Sequence, residues 1–156
     1  MNRFIVSGWA ITVGVIGWSI GGGHGPFAPG YGVGVDNILE ATLVTSDGQL
    51  ITVNSTSNSD LYWAIRGGGG SAWGIFVSIT LKLHKIPVGG FSISTSTWTG
   101  NMCDNGKILM NFVDGYQNWA LSLNSKIGGL TFFIPSKSSK KEDCSGTWDI
   151  LFQYIY

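Results

Sequence analysis

Few residues in this chain have side chains suited to chemistry, and their spacing is informative. There are two histidines, His24 and His84, and two cysteines, Cys103 and Cys144. Neither cysteine sits in a CxxC or a Cys/His cluster, so the spacing of a zinc site is absent and no metal is expected. The cysteines are open to one disulfide or to two independent thiols. His84 lies in a strand-like stretch beside Lys82 and Lys85 and is expected at an exposed edge. His24 sits in the loop Gly21-Gly22-Gly23-His24-Gly25-Pro26, where its ring can donate to a ligand oxygen or cap the loop. Asn54-Ser55-Thr56 fits the N-glycosylation sequon.

Glycine carries more of the signal. The chain has 24 glycines in 156 residues, about twice the usual ~7% share. They cluster rather than recur every third residue, which excludes a collagen-like repeat. Gly23 to Ala28 and Gly67 to Ala72 both fit the dinucleotide pattern GxGxx[G/A]. That chemistry needs strand, tight turn and helix in this order, so that the helix N-terminus meets a pyrophosphate. Around Gly67 the order is reversed, and Gly23 to Ala28 runs into Pro29-Gly30, which is not expected to open a helix. No GxxxxGK[ST] loop is present. Two glycine clusters flanked by apolar strand suit close approach of backbone N–H groups to a flat, phosphate-bearing ligand. Tight turns between strands are the alternative.

The elements that must position these groups follow from periodicity. Ile38 to Thr45 alternates as a strand, with Leu39, Ala41, Leu43 and Thr45 on one face. Ser46-Asp47-Gly48 turns it into a second strand, Gln49 to Asn54. Ser59-Asp60 is expected to cap a short helix, Leu61 to Arg66, which Gly67 ends. Gly74 to Leu83 alternates again, with Ile75, Val77, Ile79 and Leu81 on one face. Pro87-Val88-Gly89-Gly90 breaks the pattern and marks a domain boundary. Beyond it come a strand, Phe91 to Thr99, and a helix from about Asn105 to Leu123, capped by Asp104. The apolar stripe of that helix is Ile108, Leu109, Phe112, Val113, Tyr116, Trp119 and Leu123. Two more strands follow, Ile127 to Ile134 and Thr147 to Tyr156, with a polar loop between them.

Hydrophobic residues make up 44% of the chain and charged residues 12%, with seven tryptophans. Such a chain reads as the interior of something larger or as the enclosure of a flat ligand. Nine basic and nine acidic residues cancel, and the only basic run, Lys137 to Lys141, reads as a solvated loop, so no nucleic-acid partner is expected. The apolar stretch Phe4 to Trp18 imitates a signal peptide. It is too short and glycine-interrupted for a membrane span, runs into Gly21-Gly22-Gly23 without a cleavage site, and is expected to be buried. The last strand stops at Tyr156 within an apolar run, which suits a piece of a longer chain.

Ordered motifs complete the picture. Thr12-Val13-Gly14-Val15-Ile16-Gly17-Trp18, Gly21 to Pro26 and Tyr31-Gly32-Val33-Gly34-Val35-Asp36-Asn37 are followed by Leu43 to Gly48, Asp60 to Gly70 and Trp73-Gly74-Ile75. In this order they resemble the FAD-linked oxidases of the berberine bridge enzyme type, within the wider vanillyl-alcohol oxidase flavoprotein group. The resemblance is carried by residues 9–87; from 89 onward it rests on element order. It implies an α+β fold: the C-terminal part of a PCMH-type FAD-binding domain over 1–88, then the start of an antiparallel-sheet substrate domain over 89–156. It places flavin contacts at Gly14, Gly17, Trp18, Ser19, Ile20, Gly21, Gly22, Gly23 and His24, with further contacts at Tyr31, Ser71 and Phe76, many through main chain.

The departures shape the expectation. The resemblance puts Gly14 where many relatives carry a cysteine bonded to the flavin, which implies non-covalent FAD. The family's histidine attachment site, the pyrophosphate-binding half and the segment with the usual catalytic base have no counterpart here, so no catalytic base is assigned. Trp73 stands where the family generally has phenylalanine. The implied activity is oxidation of a small organic substrate by hydride transfer to FAD, with dioxygen as re-oxidant. An inactive truncated remnant and a Gly- and aromatic-rich binding domain are the alternatives. The family suggests secretion, but no signal peptide is assigned. No membrane partner is expected.

Overall fold

The computed structural model describes residues 2–70, 72–101, 107–135 and 147–155. The chain divides into two compact units, Met1–Phe91 and Ser92–Tyr156. Ser71, Cys103, Asp104, Asn105, the Lys137 to Lys141 run, Cys144 and Tyr156 lie outside the described residues.

In the first unit, strand β1 (Arg3–Phe4) precedes two short helices, α1 (Val15–Ile20) and α2 (Ala28–Tyr31), and a 3-10 turn at Gly34–Asn37. Strands β2 (Ile38–Val44) and β3 (Leu50–Asn54), helix α3 (Ser59–Ile65), and strands β4 (Ile75–Leu81) and β5 (His84–Lys85) follow. The antiparallel sheet runs β3-β2-β4, and β1 pairs separately with β5. The β2–β3 hairpin closes from Glu40↔Asn54 to Val44↔Leu50. Gly48, at φ +81°, supplies the left-handed residue of its turn. The Thr45 hydroxyl bonds the Asp47 carboxylate there and holds its carboxyl below the usual carboxylate range.

The core lies between this sheet and α3. Ala41, Leu43, Val53 and Ile65 are fully buried, with Leu61, Tyr62 and Phe76 packed around them. Burying one such aliphatic side chain contributes about 1.5–3 kcal/mol. The Tyr62 hydroxyl donates to the Ile38 carbonyl at 2.6 Å, tying α3 to the start of β2.

Two irregularities correct the simple alternation. Ile38 pairs with Leu81 and Glu40 with Thr80, so Leu39 bulges out of the ladder. Ile38, not Leu39, therefore joins Ala41 and Leu43 inside. Between the pairs Thr42↔Ser78 and Leu43↔Phe76, Val77 is the extra residue. Phe76 turns onto the core while Val77 and Ile75 face solvent.

The N-cap position of helix α3 is Asn58, not Ser59 or Asp60, and the Asn58 side chain turns away from the helix. Asn58 adopts the left-handed conformation at φ 48°, and its amide donates to the Thr52 carbonyl at 2.8 Å. Asp60 falls in the first turn, where a carboxylate suits the helix dipole. Helix α1 replaces the apolar strand expected before the first glycine cluster. Trp18 N–H donates to the Gly14 carbonyl at 3.1 Å, and Ile16, Ser19 and Ile20 turn inward at i, i+3, i+4 spacing. Pro29 sits in the first turn of α2, which its fixed φ favours. The stretch expected to be buried is largely not: Val6 is buried, but Ile11, Val13 and Val15 are exposed.

The second unit holds β6 (Ile93–Asn101), α4 (Lys107–Ser122), β7 (Gly128–Pro135) and β8 (Thr147–Ile155). Both β6 and β7 run antiparallel to the central β8, in the order β6-β8-β7. Because β6 and β7 are then parallel, their connection must cross over, and α4 provides the crossover. Its stripe meets the sheet through Trp98–Phe112 ring centroids 5.4 Å apart and through a hydrogen bond from Thr131 Oγ1 to the Tyr116 hydroxyl at 3.1 Å.

Candidate functional site: a glycine-rich surface around one helix turn

Trp18 is the pivot of the segment from Gly14 to His24. Its Nε1 donates to the His24 carbonyl at 3.1 Å, which fixes the path of the glycine loop. Several glycines exist to admit the indole. A Cβ at Gly8 would lie 2.9 Å from Nε1, and one at Gly34 would lie 2.7 Å from Cζ3. At Gly23 a Cβ would come within 2.6 Å of Gly34 Cα, at a φ of +77°. So Gly8, Gly23, Gly25 and Gly34 serve internal packing around Trp18.

Other glycines have no such reason. Gly14, Gly17 and Gly21 face solvent, and a Cβ at Gly14 or Gly17 would meet nothing within 4 Å. Gly14 has an ordinary extended backbone, and Gly17 is helical. Glycine within a helix costs about 0.5–1 kcal/mol relative to alanine. Val13 and Val15, beside them, are exposed apolar side chains. Open backbone bordered by apolar groups leaves room for a planar aromatic ring to approach at either glycine.

The second glycine cluster joins the first at one atom. The N–H groups of Gly67 and Gly69 both donate to the Ile20 carbonyl, at 3.0 and 3.1 Å. The end of α1 is thereby fastened to the chain after α3, although some 47 residues separate them (Gly67 less Ile20). Just before this join, Arg66 Nε donates to the Val35 carbonyl at 3.0 Å, and its guanidinium lies 3.9 Å from Asp36.

The sequence-derived contact residues do not all share one surface. Gly14, Gly17, Gly21 and His24 are exposed, and Trp18 and Gly22 half-buried. Ser19, Ile20 and Gly23 are enclosed by protein, and the buried Ser19 hydroxyl has no hydrogen-bond partner among the described residues. Tyr31 belongs to an aromatic cluster, with ring centroids 4.9 Å from Phe4 and 5.0 Å from His84. Phe76 packs on the core. His84 is not the exposed edge residue expected. It pairs with Phe4 across β1–β5, and its Nε2 lies 2.6 Å from Asn37 Oδ1. Burial, and then the charge of Lys82, push its pKa down. Sequence reasoning missed Gly8, Asn37, Arg66 and the Gly67–Gly69 join; only the recurrence of glycine beside tryptophan hinted at the first.

Asn54 is engaged as well. Its amide donates to Glu40 at 2.9 Å, and its oxygen accepts from the Thr56 and Ser57 N–H groups, so the sequon lies in a tight turn. In the second unit a cavity of ≈ 530 Å³ opens between β6 and α4, lined by Ser96, Trp98, Phe112, Gly115, Tyr116 and Trp119. It contains no residue of the glycine-rich segment. Among the described residues no three His, Cys, Asp or Glu side chains cluster as metal ligands, and no helix is long and apolar enough to cross a membrane.

Comparison with known proteins gives a consistent result. Residues 3–54 match the FAD binding domain family. The chain is 43% identical over 99 residues to the FAD-linked oxidoreductase ZEB1 of Gibberella zeae, covering 62% of this chain and 18% of that protein. It is 46% identical over 82 residues to the VAO-type flavoprotein oxidase VAO615 of Thermothelomyces thermophilus, covering 52% of this chain and 14% of that one. The structure of Physcomitrella patens BBE-like 1 superposes with a TM-score of 0.74 at 31% identity, over 98% of this chain and 30% of that one. The chain thus spans less than a fifth of the length of these two curated relatives.

Proposed function

We propose that this chain, which belongs to the berberine bridge enzyme-like, VAO-type FAD-linked oxidoreductases, forms part of the FAD site of an oxidase acting on a small organic substrate. The observation that carries this reading is the pair of exposed glycines, Gly14 and Gly17, which neither backbone conformation nor internal packing explains. Bound FAD would supply the hydride acceptor for the substrate, with dioxygen as its re-oxidant. The chain's own residues hold and orient. Gly14, Gly17 and Gly21 offer open backbone, and Trp18 sets the loop that presents His24. Ser19, Ile20 and Gly23 act from beneath as scaffold, with the Ile20 carbonyl clasped by Gly67 and Gly69. Tyr31, Ser71 and Phe76 remain proposed contacts by resemblance. The first unit is the flavin-binding part and the second the start of the substrate-binding part. No covalent bond to the flavin forms at position 14, where Gly14 has no thiol, and the cysteines Cys103 and Cys144 lie beyond the first unit.

The test is a titration of purified chain with FAD, followed by visible absorbance and flavin fluorescence, then acid precipitation. Saturable spectral change with the yellow colour released into the acid supernatant is expected. Colour retained in the pellet would refute non-covalent attachment. A chain that leaves the flavin spectrum unchanged would mean that its family membership describes ancestry and not a working site.

A further inference from the structure

The glycine loop is braced from one buried side chain. Asn37 is 1% exposed, and its Nδ2 donates to the carbonyls of Val33 at 2.9 Å and Tyr31 at 3.1 Å. Those two carbonyls fix the orientation of the amide, because only its nitrogen can donate. Oδ1 must then face His84 Nε2, at 2.6 Å. Since Oδ1 only accepts, His84 carries a proton on Nε2. The Asn37 backbone carbonyl accepts from Lys82 N–H at 2.8 Å, a second link to the chain that carries His84.

What this clasp holds is the approach to the glycine turn. Directly after Tyr31 to Val33, Gly34 N–H donates to the Gly23 carbonyl at 2.8 Å, and Val35 N–H to the Gly22 carbonyl at 3.1 Å. These two bonds pin Gly22 and Gly23 against the following loop. Neither glycine has a side chain to fix its own path, and both sit at positive φ, +117° and +77°. Beside the Trp18 bond to His24 and the Gly22 N–H bond to the Ser19 carbonyl, the position of the turn is therefore set from outside, through a relay from His84 to Asn37, to residues 31–33, to Gly34 and Val35. A buried polar group with its partners satisfied in this way fixes one arrangement, and loses it when one partner is removed.

We infer that Asn37 and His84 are positioning residues for the flavin-binding glycine turn: their mutual hydrogen bond orients the Asn37 amide, which holds the 31–35 loop that pins Gly22 and Gly23. The inference rests on the FAD reading of that turn, while the brace itself can be read without FAD.

The experiment compares His84→Leu, which keeps an apolar group against Phe4 and Tyr31 but cannot donate, with His84→Gln, which restores an N–H donor. The first readout is amide hydrogen exchange in the FAD-free chain. Exchange at Gly34 and Val35 is expected to rise about tenfold in His84→Leu, with Leu43 and Val53 unchanged, and to return towards wild type in His84→Gln. The second readout is FAD affinity, expected to fall about tenfold in His84→Leu and to recover in His84→Gln. Equal exchange at Gly34 and Val35 in all three proteins overturns the proposal. So does a uniform rise across core and loop, which marks general destabilisation. If His84→Leu does not fold, the wild type decides: the Asn37 side-chain amide protons and the Gly34 and Val35 amides must exchange through one opening, and unrelated rates refute the relay. A wild-type chain that takes up no FAD, while Gly34 and Val35 still loosen in His84→Leu, refutes the flavin assignment and upholds the brace.

Discussion

At the scale of single residues, the glycines of this chain fall into two kinds that composition alone cannot separate. Gly23 is required by geometry, with its left-handed backbone and Gly34 against the position a Cβ would take. Gly17 is required by nothing among the described residues. The two therefore respond in opposite directions to one methyl group. Gly23→Ala is expected to lower the stability measured by urea unfolding by more than about 2 kcal/mol, from combined backbone strain and overpacking. Gly17→Ala is expected to raise it by about 0.5–1 kcal/mol through helix propensity, yet to weaken FAD binding about tenfold. A Gly17→Ala chain that binds FAD as tightly as wild type would remove Gly17 from the site. His84 makes a second prediction. Burial and Lys82 depress its folded pKa below the unfolded value, so the folded state favours the neutral ring. That contribution is fully present above the unfolded pKa of about 6.5 and is lost as pH falls through the lower folded value. The urea midpoint should decline on acidification below about pH 6.5, and His84→Gln, which takes up no proton, should flatten that decline. An identical pH profile in the two proteins would show that His84 is not the group responsible.

At the scale of elements, what could be read from the sequence was set by how local the determinants were. The β2–β3 hairpin, α3, β4 and the β6–α4–β7–β8 series are legible because their alternation or helical stripe spans whole elements. The bulges at Leu39 and Val77 are not, since each depends on the register against a strand distant in sequence. Helix α1 was hidden by Gly17 within it and by Gly14 at its N-cap, where the start of the helix is made by a backbone carbonyl. The clasp between Asn37 and His84 spans 47 positions and leaves no local pattern. The same holds for the site: the glycine loop was legible as a motif, whereas the division of its members into exposed and enclosed needed the packing of Trp18. The capping of α3 offers a direct test. Asn58 supplies both a left-handed backbone and a hydrogen bond to Thr52. Asn58→Ala loses both and should cost about 1–2 kcal/mol in thermal or urea unfolding. Asn58→Gly keeps the backbone freedom and should cost distinctly less. Equal losses in the two variants would place the cap energy in the side chain alone.

At the scale of the molecule, the distribution of apolar surface is the dominant fact. A buried sheet-and-helix core coexists with large apolar side chains in water: Trp63 is 79% exposed, Ile75 74% and Val77 58%. Ile75 and Val77 lie on the same strand, and the Val77 bulge turns both outward. Isolated exposed hydrophobics are unremarkable, but neighbouring ones form a surface from which water is released favourably and that other apolar groups can cover. β4 is also an edge strand of its sheet, so its outer backbone groups add pairing capacity to the same region. Apolar contact and strand pairing act together there. The chain is therefore expected to bind the dye ANS in its native state and to self-associate at micromolar concentration, measurable by light scattering and sedimentation. Ile75→Lys and Val77→Lys each place a charge on that strand without entering the core, since both side chains already face solvent. Either substitution should lower ANS fluorescence and shift sedimentation towards monomer, while the urea midpoint stays within about 0.5 kcal/mol of wild type. If association persists unchanged in the double variant, the sticky surface lies elsewhere, and the exposed apolar groups Ile11, Val13 and Val15 beside the glycine turn become the next to substitute, with FAD as the competitor expected to cover them.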